Sequence, residues 1–122
     1  MVTRRTVLVV ADNSGAKSMI IIGIGKGTGR RFTSLGDKVT CVVRGASSTG
    51  QVKDHEIVKA VIVRTRKEKK RTDGSYIRFS DNAGVITDDS GTPRGTRIFG
   101  PVASELRDRG YNKIISMARE VV

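Results

Sequence analysis

The sequence predicts a mainly β fold: five or six short strands closed into a small barrel, followed by short C-terminal helices. Three observations carry this. The chain has 122 residues, enough for one domain and too few for two. It contains no Trp, two Tyr and three Phe, so its core must be built from Val and Ile, whose branched side chains pack well on a pleated surface. Apolar runs of strand length recur between Gly-rich or charged turns, and closing them into a barrel hides the edges they would otherwise expose.

The runs are Thr6–Val10, Ser18–Ile24, Lys38–Val43, Glu56–Arg64, Tyr76–Phe79 and Ala83–Thr87. Turn signals separate them: Asp12-Asn13-Ser14-Gly15, Ser47-Ser48-Thr49-Gly50 and Asp73-Gly74. After Gly100-Pro101 the pattern changes. Val102–Arg109 reads as a short helix with Pro near its first turn and Gly110 as its stop. Asn112 then caps a second helix running to Met117 or Arg119, with Ile114, Ile115 and Ala118 as its apolar face. The expected organisation is a single domain, barrel over about residues 1–100 and helical part over about 101–122.

Charge narrows the function. Twenty-three Lys and Arg face twelve Asp and Glu, a net of +11. Residues 1–72 hold 16 basic and 5 acidic side chains, whereas residues 73–122 hold 7 of each. Such a field attracts polyanions and releases their condensed counterions on binding. No segment approaches the roughly 20 apolar residues of a membrane span, and the N-terminus lacks the apolar stretch of a signal peptide. The single Cys41 excludes an intramolecular disulfide and any multi-cysteine metal site, which fits a reducing compartment.

The densest basic stretch is Arg64-Thr65-Arg66-Lys67-Glu68-Lys69-Lys70-Arg71, expected as a hairpin or loop projecting before Asp73-Gly74. Arg forks onto phosphate through paired N–H donors and Lys acts as a mobile point charge. No aromatic residue interleaves these cations, so backbone recognition of folded RNA suits them better than base stacking on a single strand. A solvated loop is the bland alternative.

The stretch Gly23-Ile24-Gly25-Lys26-Gly27-Thr28-Gly29-Arg30-Arg31 invites a nucleotide-binding reading and fails it. A phosphate loop needs Gly five positions before Gly25, where Ile20 stands, and Ser or Thr after Lys26, where Gly27 stands. A dinucleotide fingerprint needs Gly at position 28, which is Thr28. The better reading is a turn whose bare backbone lets Lys26, Arg30 and Arg31 approach an RNA surface. Catalysis has little to stand on. His55 lies in a turn between Asp54 and Glu56, and Cys41 alternates with Val39 and Val43 as a small core residue. Asp88-Asp89-Ser90-Gly91 lacks the acidic spacing and terminal Glu of a calcium loop. No catalytic residue, metal or cofactor is expected, and the chain reads as a binding protein rather than an enzyme.

Four stretches together closely resemble the universal large-subunit ribosomal protein fourteen family in its bacterial form. They are Ala11-Asp12-Asn13-Ser14-Gly15-Ala16; Ala60-Val61-Ile62-Val63 followed by Asp73-Gly74, Phe79, Asn82 and Val85-Ile86; Gly95-Thr96-Arg97-Ile98-Phe99-Gly100-Pro101; and Lys113-Ile114-Ile115-Ser116. The resemblance spans essentially the whole chain. It departs locally at the glycine-dense Gly23–Gly29 loop and at Met1–Arg5. It implies a mainly β fold, a small closed five-stranded, oligonucleotide-fold-like β-barrel with short C-terminal helices, in a ribosomal protein of the cytoplasm or of an organelle that binds large-subunit rRNA. It further implies contact with the third and nineteenth large-subunit proteins, a bridge to small-subunit rRNA, and a docking surface for a ribosome-silencing factor. Charge and resemblance together give an expected rRNA set of Arg4, Arg5, Asn13, Ser14, Lys17, Lys26, Arg30, Arg31, Lys53, Arg64, Arg66, Lys67, Lys69, Lys70, Arg71 and Arg78. The resemblance places the subunit-interface or factor-binding surface at Thr96, Arg97, Lys113 and Ser116. Asn13, Ser14 and Gly15 are expected to be a structural turn first and an RNA contact second. The rival readings are a free single-strand-binding barrel, which would want more aromatic residues on its strands, and a small nucleotide hydrolase, which would want a phosphate loop.

Overall fold

A computed structural model describes residues 3, 5–24, 32–47, 50 and 52–122. The first four apolar runs form β1 (Val7–Val10), β2 (Ala16–Ile24), β3 (Lys38–Ala46) and β4 (Ile57–Arg64). Next come β5 (Lys69–Lys70), β6 (Tyr76–Ile77) and the fully buried β7 (Ala83–Thr87). The chain ends in β8 (Pro101–Val102), α1 (Glu105–Asp108), α2 (Asn112–Met117) and β9 (Glu120–Val121).

Strands β1, β2, β3, β4 and β7 form the closed five-stranded barrel. Neighbours are antiparallel except where β7 closes on β1 in parallel, Val9 opposite Ala83 and Val10 opposite Gly84. Because side chains alternate across a strand, Leu8, Met19, Ile21, Val39, Cys41, Val43, Val58 and Ala60 point inward and are buried. The interior continues through Val61, Ile62, Val85 and Ile86, so the core is the Val/Ile core that the aromatic-poor composition demands.

Three expectations need correction. The run Tyr76–Phe79 does not join the barrel; its first two residues pair with Lys69–Lys70 as a separate two-stranded hairpin, Lys69 opposite Ile77 and Lys70 opposite Tyr76. Second, the helix expected over Val102–Arg109 is confined to Glu105–Asp108. Pro101 and Val102 instead pair in parallel with Glu120 and Val121, with Val122 N–H donating to the Val102 carbonyl at 2.9 Å. The returning chain end thus gives Val102 backbone partners that four residues of helix would not. Third, Asn112 is the first residue of α2 rather than its cap; Tyr111 holds the cap position, without a side-chain cap bond.

Gly110 does stop α1. At φ +87° it lets its own N–H reach the Arg107 carbonyl (3.2 Å) and the Tyr111 N–H reach the Leu106 carbonyl (3.0 Å), the paired bonds of a Schellman ending. Leu106 and Ile114 then insert fully buried side chains from α1 and α2 into the core.

Candidate nucleic-acid interface

The basic stretch begins inside the fold and ends outside it. Arg64, the last residue of β4, is 7% exposed. Its Nη1 donates to the Phe99 carbonyl (2.9 Å) and the Pro101 carbonyl (3.2 Å), and its Nε lies 3.0 Å from Asp81 Oδ1. This guanidinium is occupied in joining the barrel to the segment leading into β8. A Cβ on Gly100 would overlap it, and Gly100 also sits at φ +79°, so backbone and guanidinium fit together only with glycine there.

Beyond Arg64 the side chains turn to solvent. Arg66, Lys67, Lys70 and Arg78 are exposed and Lys69 is partly so. Asn82 fixes the base of this projection by accepting the Arg66 N–H at 2.8 Å, and Thr65 does so by accepting the Phe79 N–H at 2.9 Å. At the tip, Asp73 Oδ1 accepts from both the N–H (2.9 Å) and the hydroxyl (2.6 Å) of Ser75, and these bonds hold the Asp73 carboxyl below its ordinary range. Arg71 crosses to the C-terminal part, pairing with Glu105 at 2.9 Å and donating to the Val122 carbonyl at 2.6 Å. Lys67 pairs with Glu68 at 3.0 Å, but both are half exposed, so the pair is worth little and leaves Lys67 free to exchange partners. A shallow cleft lined by Arg66, Arg78, Phe79 and Ser80 sets two guanidinium groups beside one aromatic ring and a hydroxyl.

The first turn serves a second surface. Asp12, buried, accepts the Ser14 N–H (3.1 Å), the Ser14 hydroxyl (2.6 Å) and the Ile86 N–H (3.0 Å). Burial pushes its carboxyl up, and the Ser14 hydroxyl bond and the backbone bonds of Ser14 and Ile86 pull it back. Asn13 Oδ1 accepts the N–H groups of Thr96 (2.8 Å) and Arg97 (3.1 Å), while its amide donates to the Thr96 hydroxyl (2.8 Å). Phe99 N–H reaches the Ala11 carbonyl. The loop carrying Thr96 and Arg97 is therefore clamped from beneath, with both side chains exposed. A cleft runs from Thr96–Gly100 to Met117 and Arg119. Lys113 and Ser116 do not line it. They stand exposed on α2, where the Ser116 hydroxyl donates to the Lys113 carbonyl at 2.9 Å.

Of the expected rRNA residues, Arg5, Lys17 and Lys53 are exposed at scattered positions. Ser14 is buried and Asn13 and Arg64 have internal partners; Arg4, Lys26, Arg30 and Arg31 lie outside the described residues. Arg119, which the sequence reading did not single out, lines the same cleft as Thr96 and Arg97. Its signal was a cation in the otherwise neutral half, two residues beyond a helix whose far end meets the Arg97 loop. The Cys41 thiol is buried and pushed up to about 12 by that burial, which leaves it an inert core residue.

The fold is a small closed barrel bearing an exposed cationic hairpin, in a basic protein with no cluster of metal-ligating side chains among its described residues. The model of one family, ribosomal protein L14p/L23e, matches residues 1–122, and the chain belongs to that family. It is a structural protein of the large ribosomal subunit and acts in translation; the family is not an enzyme family.

Proposed function

We propose that the chain binds large-subunit rRNA chiefly through the hairpin cations Arg66, Lys67, Lys69 and Lys70, with Arg78 beside them. The observation that carries this is the step at Arg64: Ala60 to Val63 before it are buried, and Arg66, Lys67 and Lys70 after it are exposed on a pinned hairpin. Arg5, Lys17 and Lys53 add dispersed phosphate contacts, as do Arg4, Lys26, Arg30 and Arg31 on grounds of charge alone. Arg64, Asn13 and Ser14 hold the scaffold, and Arg71 ties the hairpin to α1.

The second surface, Thr96, Arg97, Lys113 and Ser116 with Arg119 added, meets small-subunit rRNA at an intersubunit bridge and accepts a ribosome-silencing factor. The rigid Asn13 clamp under Thr96 and Arg97 supports this, because a fixed pair of exposed polar side chains binds at little ordering cost. The third and nineteenth large-subunit proteins are its protein neighbours, in the ribosome of the cytoplasm.

The first reading is tested by titrating a structured rRNA fragment at several salt concentrations. Each phosphate neutralised adds about 0.9 to the slope of log K against log salt on duplex, and about 0.7 on single strands. Lys67→Ala, Lys69→Ala and Lys70→Ala combined should lower the slope by roughly 2 to 3 on that scale. An unchanged slope would make the hairpin a solvated loop. The second reading predicts that Arg97→Glu with Lys113→Glu leaves the chain in the large subunit but weakens subunit joining or factor capture. Loss of the chain from free large subunits, or normal joining with normal capture, would refute it.

A further inference from the structure

The hairpin holds an aromatic side chain that phosphate binding leaves unused. In sequence Tyr76 stands five residues beyond Arg71, so the basic run looks free of aromatic residues. Folding changes that. Pairing of β5 with β6 sets Tyr76 directly opposite Lys70, and Ile77 opposite Lys69. Because side chains alternate across a strand, the two pairs occupy opposite faces of the hairpin. Ile77 packs against the core, so its face is the inner one. Tyr76 lies on the outer face and is 65% exposed. The same alternation, carried one residue beyond the pairing, puts Glu68 and Arg78 on the outer face. Both line a shallow cleft with Tyr76 and Ile77.

An exposed ring on this face adds nothing to the barrel core, but it offers a surface on which one nucleobase can stack. The rest of the cleft supplies what a base needs. The Arg78 guanidinium can fork onto a phosphate. Glu68 contributes a carboxylate, paired with Lys67 at 3.0 Å while both side chains are about half exposed, and such a pair changes partners at little cost. An ionised carboxylate only accepts hydrogen bonds. Among the RNA bases, guanine alone presents two adjacent N–H donors on its Watson–Crick edge, at N1 and N2. Adenine, cytosine and uracil each set an acceptor beside their donor there. Duplex RNA cannot use the ring, because its bases stack on one another and its minor groove shows only edges and 2′-hydroxyls. A free mononucleotide would leave the neighbouring exposed cations Lys67 and Lys70 without phosphates.

We propose that the outer face of the hairpin binds one unpaired guanine of RNA. Tyr76 stacks on the base, Glu68 accepts from its N1–H and N2–H, and Arg78 holds an adjoining phosphate. This rests on the hairpin reading and adds selectivity for a bulged or looped nucleotide, which phosphate contacts alone do not give.

The test measures binding of the full chain to fluorescent RNA duplexes that differ only in one bulged nucleotide, G, A, C or U, beside a fully paired control. The bulged-G duplex should bind about 5- to 100-fold tighter than the control, the range of one base stacked on an aromatic ring. It should also bind several-fold tighter than the other bulges. Tyr76→Ala should bring bulged and paired RNA to the same affinity, and Tyr76→Phe should keep them apart. Glu68→Gln should erase the preference for G while keeping the preference for a bulge. All effects are read as ratios between RNAs, so a general change of charge cancels. Equal affinity of the unaltered chain for bulged and paired RNA overturns the proposal. The hairpin reading survives that result if the Lys67, Lys69 and Lys70 triple variant still lowers the salt slope, and falls with it if the slope is unchanged. A bulge preference that persists in Tyr76→Ala, or is lost in Tyr76→Phe, overturns the stacking role, and equal binding of the four bulges overturns the guanine assignment. Guanosine monophosphate that displaces the bulged-G duplex at concentrations near that duplex's Kd would assign the cleft to a free nucleotide instead.

Discussion

Gly15 shows how a turn residue can be read from sequence and still need the structure to explain it. The Asn-Ser-Gly pattern announces a chain reversal, and the residue indeed adopts φ +103° between β1 and β2. What sequence could not supply is the neighbour: a Cβ at Gly15 would lie 2.7 Å from the Gly50 Cα, a backbone atom that cannot swing aside. Gly15→Val therefore adds positive-φ strain to a steric overlap. The expected cost is roughly 2–4 kcal/mol, a fall in melting temperature on the order of 10 °C. Thermal unfolding of the isolated chain checks this; an unchanged midpoint with impaired RNA binding would reverse the order of its roles. From sequence, Asn13 and Ser14 read as a structural turn first and an RNA contact second. Their partners, Thr96 and Arg97 for one and Asp12 for the other, are apparent only after folding brings position 13 beside position 96.

Long apolar runs bounded by turn residues are legible as strands; β1, β2, β3 and β4 fall where those runs put them, give or take two or three residues. The two-residue strands β8 and β9 carry no periodicity at all, so their pairing, and the short α1 that follows from it, could not be read from apolar spacing. Arg64 marks the same limit. As a cation in a basic run it reads as a phosphate ligand, yet the position closes a buried strand, and burial demands partners for its donors. Those partners make Arg64 the tie between β4 and the C-terminal elements. Replacing it with Ala orphans the Phe99 and Pro101 carbonyls and leaves Asp81 alone. The expected loss is about 3 kcal/mol, read as a lower urea midpoint. Asp81→Asn should cost less, since the Asp81 side chain is 36% exposed and water replaces part of the pair. A loss under about 1 kcal/mol for Arg64→Ala would mean the tie is not energetic.

The charge split sets the character of the whole molecule. All of the net +11 lies in residues 1–72, and folding divides the described cations among them between scaffold ties, a hairpin and dispersed exposed positions. Sequence gave the total and its location; which cations remain available depends on burial and pairing, which spacing does not encode. The neutral half contributes the clamped Arg97 loop and the helices that pack beside it. Such a molecule has little use for its charge outside a polyanionic assembly. The most direct test is a sucrose-gradient separation of ribosomal particles at moderate salt, with the chain followed by a tag through every fraction. The chain should peak with free large subunits and with joined ribosomes, and be absent from free small subunits. A chain that stays at the top of the gradient as free protein, or travels with small subunits alone, would contradict its place as a structural component of the large subunit.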